Sequence, residues 1–354
     1  MAVTCIGLVV HGGKKSAIDA AERVRRWAAN NEVPISDVDV WGEDQAAAVQ
    51  SGPPAVPAPT RVPDLIVTVG GDGTFLRGAR VAAASNAVVL GVDVGRVGFL
   101  TTVEEPTLEA ALDAVHAGSF DIEERLTLTM RSSRPMQIPE DLSVLLRYGR
   151  GPTPAPAQVR DSLPEHVGWG VPLDVTAIND VVFEKLGRDR QASLGLYVGG
   201  QLFASYSVDA MIVATSTGST AYSFAAGGPI LFPRLAAIVV TPVAPHMVFD
   251  RSLLVAPDEA VAVRVLDHSG QVVVTVDGQT AGVLDPGDWV GVYVGLRRCR
   301  LVRLGPPDFP GRLRERFGLV DAAAALADGQ APLSLLPDLP LPEDLCHLYV
   351  PPRP

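Results

Sequence analysis

Two short segments hold the side chains best suited to chemistry. The first is Gly70-Gly71-Asp72-Gly73-Thr74, which follows the apolar run Leu65-Ile66-Val67-Thr68-Val69. Glycines let backbone N–H groups approach a polyanion closely, and the N-terminus of a following helix adds a positive dipole end. Asp72 is a poor direct ligand for phosphate, because like charges repel. Its useful roles are to bind Mg²⁺ or to accept a proton from an attacking hydroxyl. The plainer alternative is a tight turn whose aspartate caps the helix. Strand–turn–helix is the context a phosphate turn requires, so the segment points to phosphoryl transfer without naming an acceptor.

The second segment runs from Asp209 to Ile230 and contains Thr215-Ser216-Thr217-Gly218-Ser219-Thr220-Ala221-Tyr222-Ser223-Phe224. A strand enters a turn dense in hydroxyls and glycines. Small side chains open the backbone, hydroxyls supply hydrogen bonds to a ribose or a base, and Tyr222 offers a ring for stacking. An ordinary Ser/Thr turn is the alternative, but turn chemistry alone seldom needs so many hydroxyls.

The elements around these segments follow from periodicity. Residues 4–10 read as a strand ending at Gly12-Gly13, followed by a helix with Ala17, Ala20, Val24 and Trp27 on one face. Residues 53–63 read as a Pro/Ala-rich loop. Thr74 is expected to cap the helix after the glycine turn. Residues 87–92 form the next strand, and Gly95-Arg96-Val97-Gly98 makes another turn. Thr107 is placed to cap a helix that Gly118 ends. Strand–helix alternation of this kind implies a largely parallel sheet covered by helices. After residue 120 the pattern becomes short alternating strands, with Gly199-Gly200 and Asp277-Gly278 at hairpin positions. The expected fold is an α/β N-terminal domain over 1–119, with a parallel, Rossmann-like sheet, and a β-rich layered domain over 120–319. The Pro-rich stretch 132–172 reads as a loop insertion, either a linker or a mobile lid. Residues 320–354 form an Ala/Leu/Pro-rich tail that could pack on the body or on a neighbouring subunit.

Composition excludes several classes. The chain has 354 residues, 47% apolar and 19% charged, with a net charge of −11. It is long enough for two cores, and its acidity gives no global reason to coat nucleic acid or an anionic membrane. Cys5, Cys299 and Cys346 are far apart and form no metal or disulfide pattern, which fits a reducing cytoplasm. Residues 229–249 are apolar, but Arg234, Pro233, Pro242 and Pro245 argue against a membrane span.

Taken together, the motifs resemble one family. GGDGT is shared by lipid kinases, phosphofructokinases and dinucleotide kinases. With TSTGSTAYSFAAGGPI downstream, the chain resembles the ATP-dependent NAD kinases. Gly91-Val92-Asp93-Val94-Gly95-Arg96-Val97-Gly98-Phe99-Leu100, Asn179-Asp180 and Thr241-Pro242-Val243-Ala244-Pro245-His246 follow in that family's order. The resemblance implies transfer of the γ-phosphate of ATP, or a phosphate of polyphosphate, to the adenosine-ribose 2′-hydroxyl of NAD. It also implies Mg²⁺ or another divalent cation, with no ligand set assigned, and a homodimer or homotetramer. Asp72 becomes the general base or orienting group, and Gly70, Gly71, Gly73 and Thr74 the phosphate turn. Phe99, Asn179, Asp180, Asp209, Thr217, Thr220, Ala221 and Tyr222 line the dinucleotide site, and Arg96 is a candidate for phosphate charge. Phe99 by type alone is as readily a core residue. The chain departs from the family at Asp180 for Glu, Ala210 for Gly, Ser216 for Pro, Ala225 for Ser and Asp93 for Asn. Those changes motivate two alternatives: a paralogue acting on another nucleoside or dinucleotide, and a sensor that binds NAD(P) without turnover.

Overall fold

The structure is a computed structural model that describes residues 3–40, 62–95, 98–146, 154–161, 168–187, 190–305, 308–319 and 342–346. A seven-stranded sheet contains β1 (Ile6–Val10), β2 (Ile35–Asp37), β3 (Leu65–Val69), β4 (Val88–Asp93), β5 (Val103–Glu104), β6 (Asp121–Arg125) and β19 (Cys299–Arg303). Strands β1, β3 and β4 pair in parallel and are almost wholly buried. Helix α1 (Lys15–Asn30) buries Ala17, Ala20, Val24 and Trp27 against them, the face its spacing predicts. Helix α3 (Leu108–His116) buries Leu108, Ala111, Leu112 and Val115 in the same core. It ends at Gly118, whose φ of +75° is the left-handed conformation a glycine stop adopts.

The sheet does not end at residue 119. Strand β6 lies antiparallel to β19, and β19 lies parallel to β4. The chain therefore leaves this sheet at Arg125 and returns at Cys299. Everything between is a large excursion anchored at both ends.

That excursion forms two six-stranded sheets. One has the order β11 (Gln201–Val208), β10 (Ala192–Val198), β15 (Val261–Val265), β18 (Trp289–Val294), β7 (Leu128–Ser132) and β8 (Val171–Pro172). The other has the order β14 (Leu253–Val255), β13 (Ile238–Val243), β12 (Ala210–Thr215), β9 (Asp180–Lys185), β16 (Val272–Val276) and β17 (Gln279–Leu284). Alternate residues of both, among them Met130, Leu194, Val263, Phe183, Val213 and Val274, share one core, so the sheets pack face to face. The second sheet is also covered outside, where Val182, Ile212 and Ala214 meet Leu231 and Ala237. Strand β12 is thus buried on both faces, which explains its unbroken apolar run. Both expected hairpins are present. Gly199-Gly200 and Asp277-Gly278 take positive φ at both central positions, as a two-residue turn requires.

Two local expectations are corrected. Helix α2 spans Asp72–Ser85, three residues earlier than a Thr74 cap would allow. Gly71 holds the extended capping conformation, and Thr74 sits inside the first turn with its hydroxyl buried. Thr107 precedes α3 but donates its hydroxyl to the Glu104 carbonyl and does not cap the helix. The described part of 132–172 is stitched to the body. Met136 lies in the core, Val283 N–H donates to the Gln137 carbonyl at 2.8 Å, and Ala157 N–H to the Ala281 carbonyl at 2.7 Å. A short helix α4 (Glu140–Leu146) follows that first stitch. The tail 320–354 lies outside the described residues apart from 342–346.

Close packing of α2 on β3 gives a test. A Cβ added at Gly78 would lie 2.2 Å from Thr68 Cγ2. Alanine is favoured over glycine in a helix by ~1 kcal/mol, yet Gly78→Ala should destabilise the fold by roughly 1–3 kcal/mol because overpacking wins. Removing the methyl with Thr68→Ser in the same chain should recover most of the loss in urea unfolding. An unchanged midpoint for Gly78→Ala alone would refute the packing account.

Candidate functional site

The turn between β3 and α2 presents Asp72 at the first helical position, where a negative charge is favoured. Its carboxylate accepts the backbone N–H groups of Phe99 at 3.1 Å and Leu100 at 3.2 Å. These come from the loop after β4, which passes so close that a Cβ at Gly98 would lie 2.1 Å from Asp72 Oδ1. Only glycine fits there. Gly70 is pressed in the same way against the Thr74 hydroxyl, at 2.4 Å from an added Cβ, and Gly71 and Gly73 meet no such obstruction. Asp93 shapes the loop from its other side. It accepts Gly95 N–H at 2.7 Å, Gly98 N–H at 3.1 Å and the Thr101 hydroxyl at 3.0 Å. Three donors suit an acceptor-only carboxylate, which accounts for aspartate at this place. Arg96 lies outside the described residues.

Phe99 is half-buried in a row of rings. It tilts against Phe309 at 6.3 Å and Phe317 at 5.9 Å, both on helix α6 (Phe309–Phe317). Phe317 meets Phe224 at 4.5 Å, and Phe309 meets Phe232 at 5.1 Å. Phe224 follows Tyr222 in α5 (Tyr222–Ala225), so the rings join the Asp72 loop to the hydroxyl-rich segment.

The second half is built around Asn179. Asp277, at φ +46°, accepts N–H groups from Ile178 at 3.0 Å, Asn179 at 2.7 Å and Asp180 at 3.2 Å. The Asn179 carbonyl accepts Thr215 N–H at 2.8 Å, and the Thr215 hydroxyl donates to the Ile178 carbonyl at 2.6 Å. A Cβ at Gly218 would lie 2.0 Å from the Asn179 carbonyl oxygen, so this glycine is set by contact. Thr217 receives a hydrogen bond from Arg125 at 3.2 Å, and the Thr220 hydroxyl donates back to the Thr217 carbonyl at 3.3 Å. Ala221 closes this turn and Tyr222 is 40% exposed, so its ring is available to a ligand. Asp209 pairs with Lys185 at 2.5 Å. Of the departures, Ala210 is buried in β12, Ser216 donates its hydroxyl to the Leu235 carbonyl, and Ala225 is exposed.

Electrostatics tie the halves together. Burial, and then the charge of Asp277, pushes the Asp180 carboxyl up to about 7. Burial also raises Asp277, opposed by Arg80 and by its three N–H donors. Arg80 lies on α2, eight residues past Asp72, so the helix of the phosphate turn faces the loop that carries Asn179. Ile178 packs in the same cluster as Phe75, Leu76 and Leu100. The Tyr222 hydroxyl is raised by burial and then by Glu184, Asp180 and Asp209, which makes this corner acidic. Among the described residues, no group of three His, Cys, Asp or Glu side chains could hold a metal ion.

Three participants escaped sequence reasoning: Asp277, Arg80 and Arg125. Asp277 was legible as part of a hairpin turn, which it is. Its second role depends on partners 97 to 99 residues away.

Residues 6–120 match the ATP-NAD kinase N-terminal domain, and residues 178–304 match the ATP-NAD kinase C-terminal domain. The chain is 57% identical to NAD kinase 1 of Streptomyces avermitilis over 100% of this chain and 98% of that protein. It is 55% identical to NAD kinase 1 of Streptomyces coelicolor over 99% of this chain and 96% of that one. Among solved structures, yeast NADH kinase complexed with NADH superposes with a TM-score of 0.65 at 21% identity, covering 86% of this chain and 84% of the other. An NAD kinase from Archaeoglobus fulgidus in complex with ATP gives a TM-score of 0.56 at 21% identity, covering 84% and 92%.

The raised Asp180 carboxyl predicts a pH dependence. An unfolded aspartate titrates near ~3.9, whereas the folded group titrates at about 7. Between these values the folded state holds a proton that the unfolded state has lost, so this group makes stability fall as pH rises from roughly 4 to 7. Asp180→Asn should therefore gain stability relative to the parent on going from pH 5 to pH 8 in urea unfolding. An equal difference at both pH values would rule out the shift.

Proposed function

The chain belongs to the ATP-NAD kinase family, and we propose that it moves the γ-phosphate of ATP onto the adenosine-ribose 2′-hydroxyl of NAD, giving NADP. It is a phosphotransferase. The observation that carries the site assignment is the convergence just described: a glycine turn bearing Asp72 is fastened, through Arg80 and Ile178, to the loop bearing Asn179 and Asp180.

In this reading Gly70, Gly71, Gly73 and Thr74 shape the phosphate side. Asn179, Asp180, Asp209, Thr217, Thr220, Ala221 and Tyr222 line the dinucleotide side, and Phe99 stands at the junction. A sugar hydroxyl is a weak nucleophile at neutral pH. Asp72 orients it and accepts its proton as it attacks. Two N–H groups fix the carboxylate and leave lone pairs for that proton. Most of the acceleration comes from alignment and from neutralisation of the triphosphate by a divalent cation that enters with it. Polyphosphate is an alternative donor with the same terminal chemistry. The working form is a homodimer or homotetramer in the cytoplasm; no helix among the described residues is long and apolar enough to cross a membrane.

Purified protein incubated with NAD, ATP and Mg²⁺ should form NADP, and Asp72→Asn should lower kcat by about 10²- to 10⁴-fold. NADP formation unaffected by Asp72→Asn would remove Asp72 from the reaction. No NADP from folded parent protein would turn the reading toward another acceptor, to be found with a panel of nucleosides and dinucleotides.

A further inference from the structure

The carboxylate of Asp72 is fixed by a loop, and something must in turn fix the loop. On the far side of that loop lies Arg312, in α6. Its Nη1 donates to the carbonyls of Gly98 at 3.4 Å, Phe99 at 3.1 Å and Thr101 at 2.8 Å. The peptide unit joining Gly98 to Phe99 therefore has its N–H on Asp72 and its C=O on Arg312. The unit joining Phe99 to Leu100 is held in the same way. Two peptide dipoles lie between an anion and a cation, each aligned with both. Such chains of hydrogen bonds polarise one another and strengthen.

Helix α6 has independent reasons to sit where it does. Asp308 caps it by accepting Gly311 N–H at 2.8 Å, and Phe309 and Phe317 grip Phe99, Phe224 and Phe232. Gly318 closes it at φ +61°. The helix begins beyond residue 304, where the second family match ends. It is a separate element brought to the catalytic loop from the far end of the sequence. Arg312 is partly buried, and the charges around it are Asp72, Glu123, Asp308 and Arg303.

We infer that Arg312 is a positioning residue, which holds the Gly98–Thr101 loop so that its N–H groups orient the Asp72 carboxylate. The inference rests on Asp72 serving the phosphoryl transfer proposed above. Without the guanidinium, the loop carbonyls turn to water, and the two N–H groups lose their alignment on Asp72. Substrate contacts on the Asn179 side stay in place, so the loss falls on the chemical step and not on binding.

The test compares Arg312→Ala with Arg316→Ala, an exposed arginine on the same helix. We expect kcat for NADP formation to fall roughly 10- to 100-fold in Arg312→Ala, the size expected for a misplaced catalytic group. KM for NAD and ATP should stay within about twofold. Low-millimolar guanidinium should restore part of the rate, and Arg316→Ala should match the parent. Hydrogen exchange at the Phe99 and Leu100 amides should speed up in Arg312→Ala. A parent-like kcat with unchanged exchange would overturn the inference. So would a loss confined to KM. Should Arg312→Ala fail to fold, Arg312→Lys carries the same two readouts, and unchanged values there overturn it equally. If the parent forms no NADP, the functional reading fails, and the exchange measurement alone still decides whether Arg312 holds the loop.

Discussion

Backbone N–H groups that leave a sheet beside a domain seam must end on an acceptor, because an unpaired buried donor costs free energy comparable to a lost hydrogen bond. Three aspartates meet this need. Asp72 takes the donors of Phe99 and Leu100, Asp93 those of Gly95 and Gly98, and Asp277 those of Ile178, Asn179 and Asp180. A carboxylate has two oxygens and no hydrogens to place, so one side chain can gather several donors. The site is the consequence. The loops at 95–100 and 178–180 are drawn inward by these acids, and the glycines at 98 and 218 let the backbones approach.

Gathering acids at a seam costs desolvation, which arginines offset. Burial alone would raise Glu123, but Arg125 and Arg303 hold its carboxyl below the ordinary range. Arg80 opposes the same effect at Asp277, whose carboxyl still stays raised by burial. Asp180 has only Asp277 as its charged neighbour of note, and so its carboxyl rises to about 7. The contrast between Glu123 and Asp180 shows which charges are compensated within the chain. Asp180, Glu184 and Asp209 make the corner beside Tyr222 acidic, and of these Asp209 is paired with Lys185. Because Arg125 also reaches Thr217, the ion-pair network touches the hydroxyl-rich turn directly.

The topology explains why these groups can meet. Strands β6 and β19 close the first sheet from opposite ends of the second domain, so the β-rich excursion is tethered at two adjacent points. The aromatic row from Phe99 through Phe317 to Phe224 adds a third link on the open side. A domain fixed at several points keeps a narrow range of orientations. That is what alignment of a phosphate donor with a sugar hydroxyl requires.

By itself, the sequence determined the local units. The strand–glycine turn–helix at 65–85, the hydroxyl-rich turn after β12, the two double-positive-φ hairpins and the buried face of α1 all follow from periodicity and residue type. Each of these depends on neighbours a few residues apart. The resemblance carried by the two motifs added the fold and the chemistry. Only the tertiary structure decided that β6 and β19 complete the first sheet, that Gly71 starts α2, and that residues 137 and 157 are stitched to β17. The same holds for Asp277 gripping residues 178–180 and Arg312 gripping residues 98–101. Apart from the start of α2, these are hydrogen-bonded contacts between residues far apart in the chain. An aspartate in a hairpin or an arginine on a short helix looks the same in sequence whether it faces water or a peptide carbonyl.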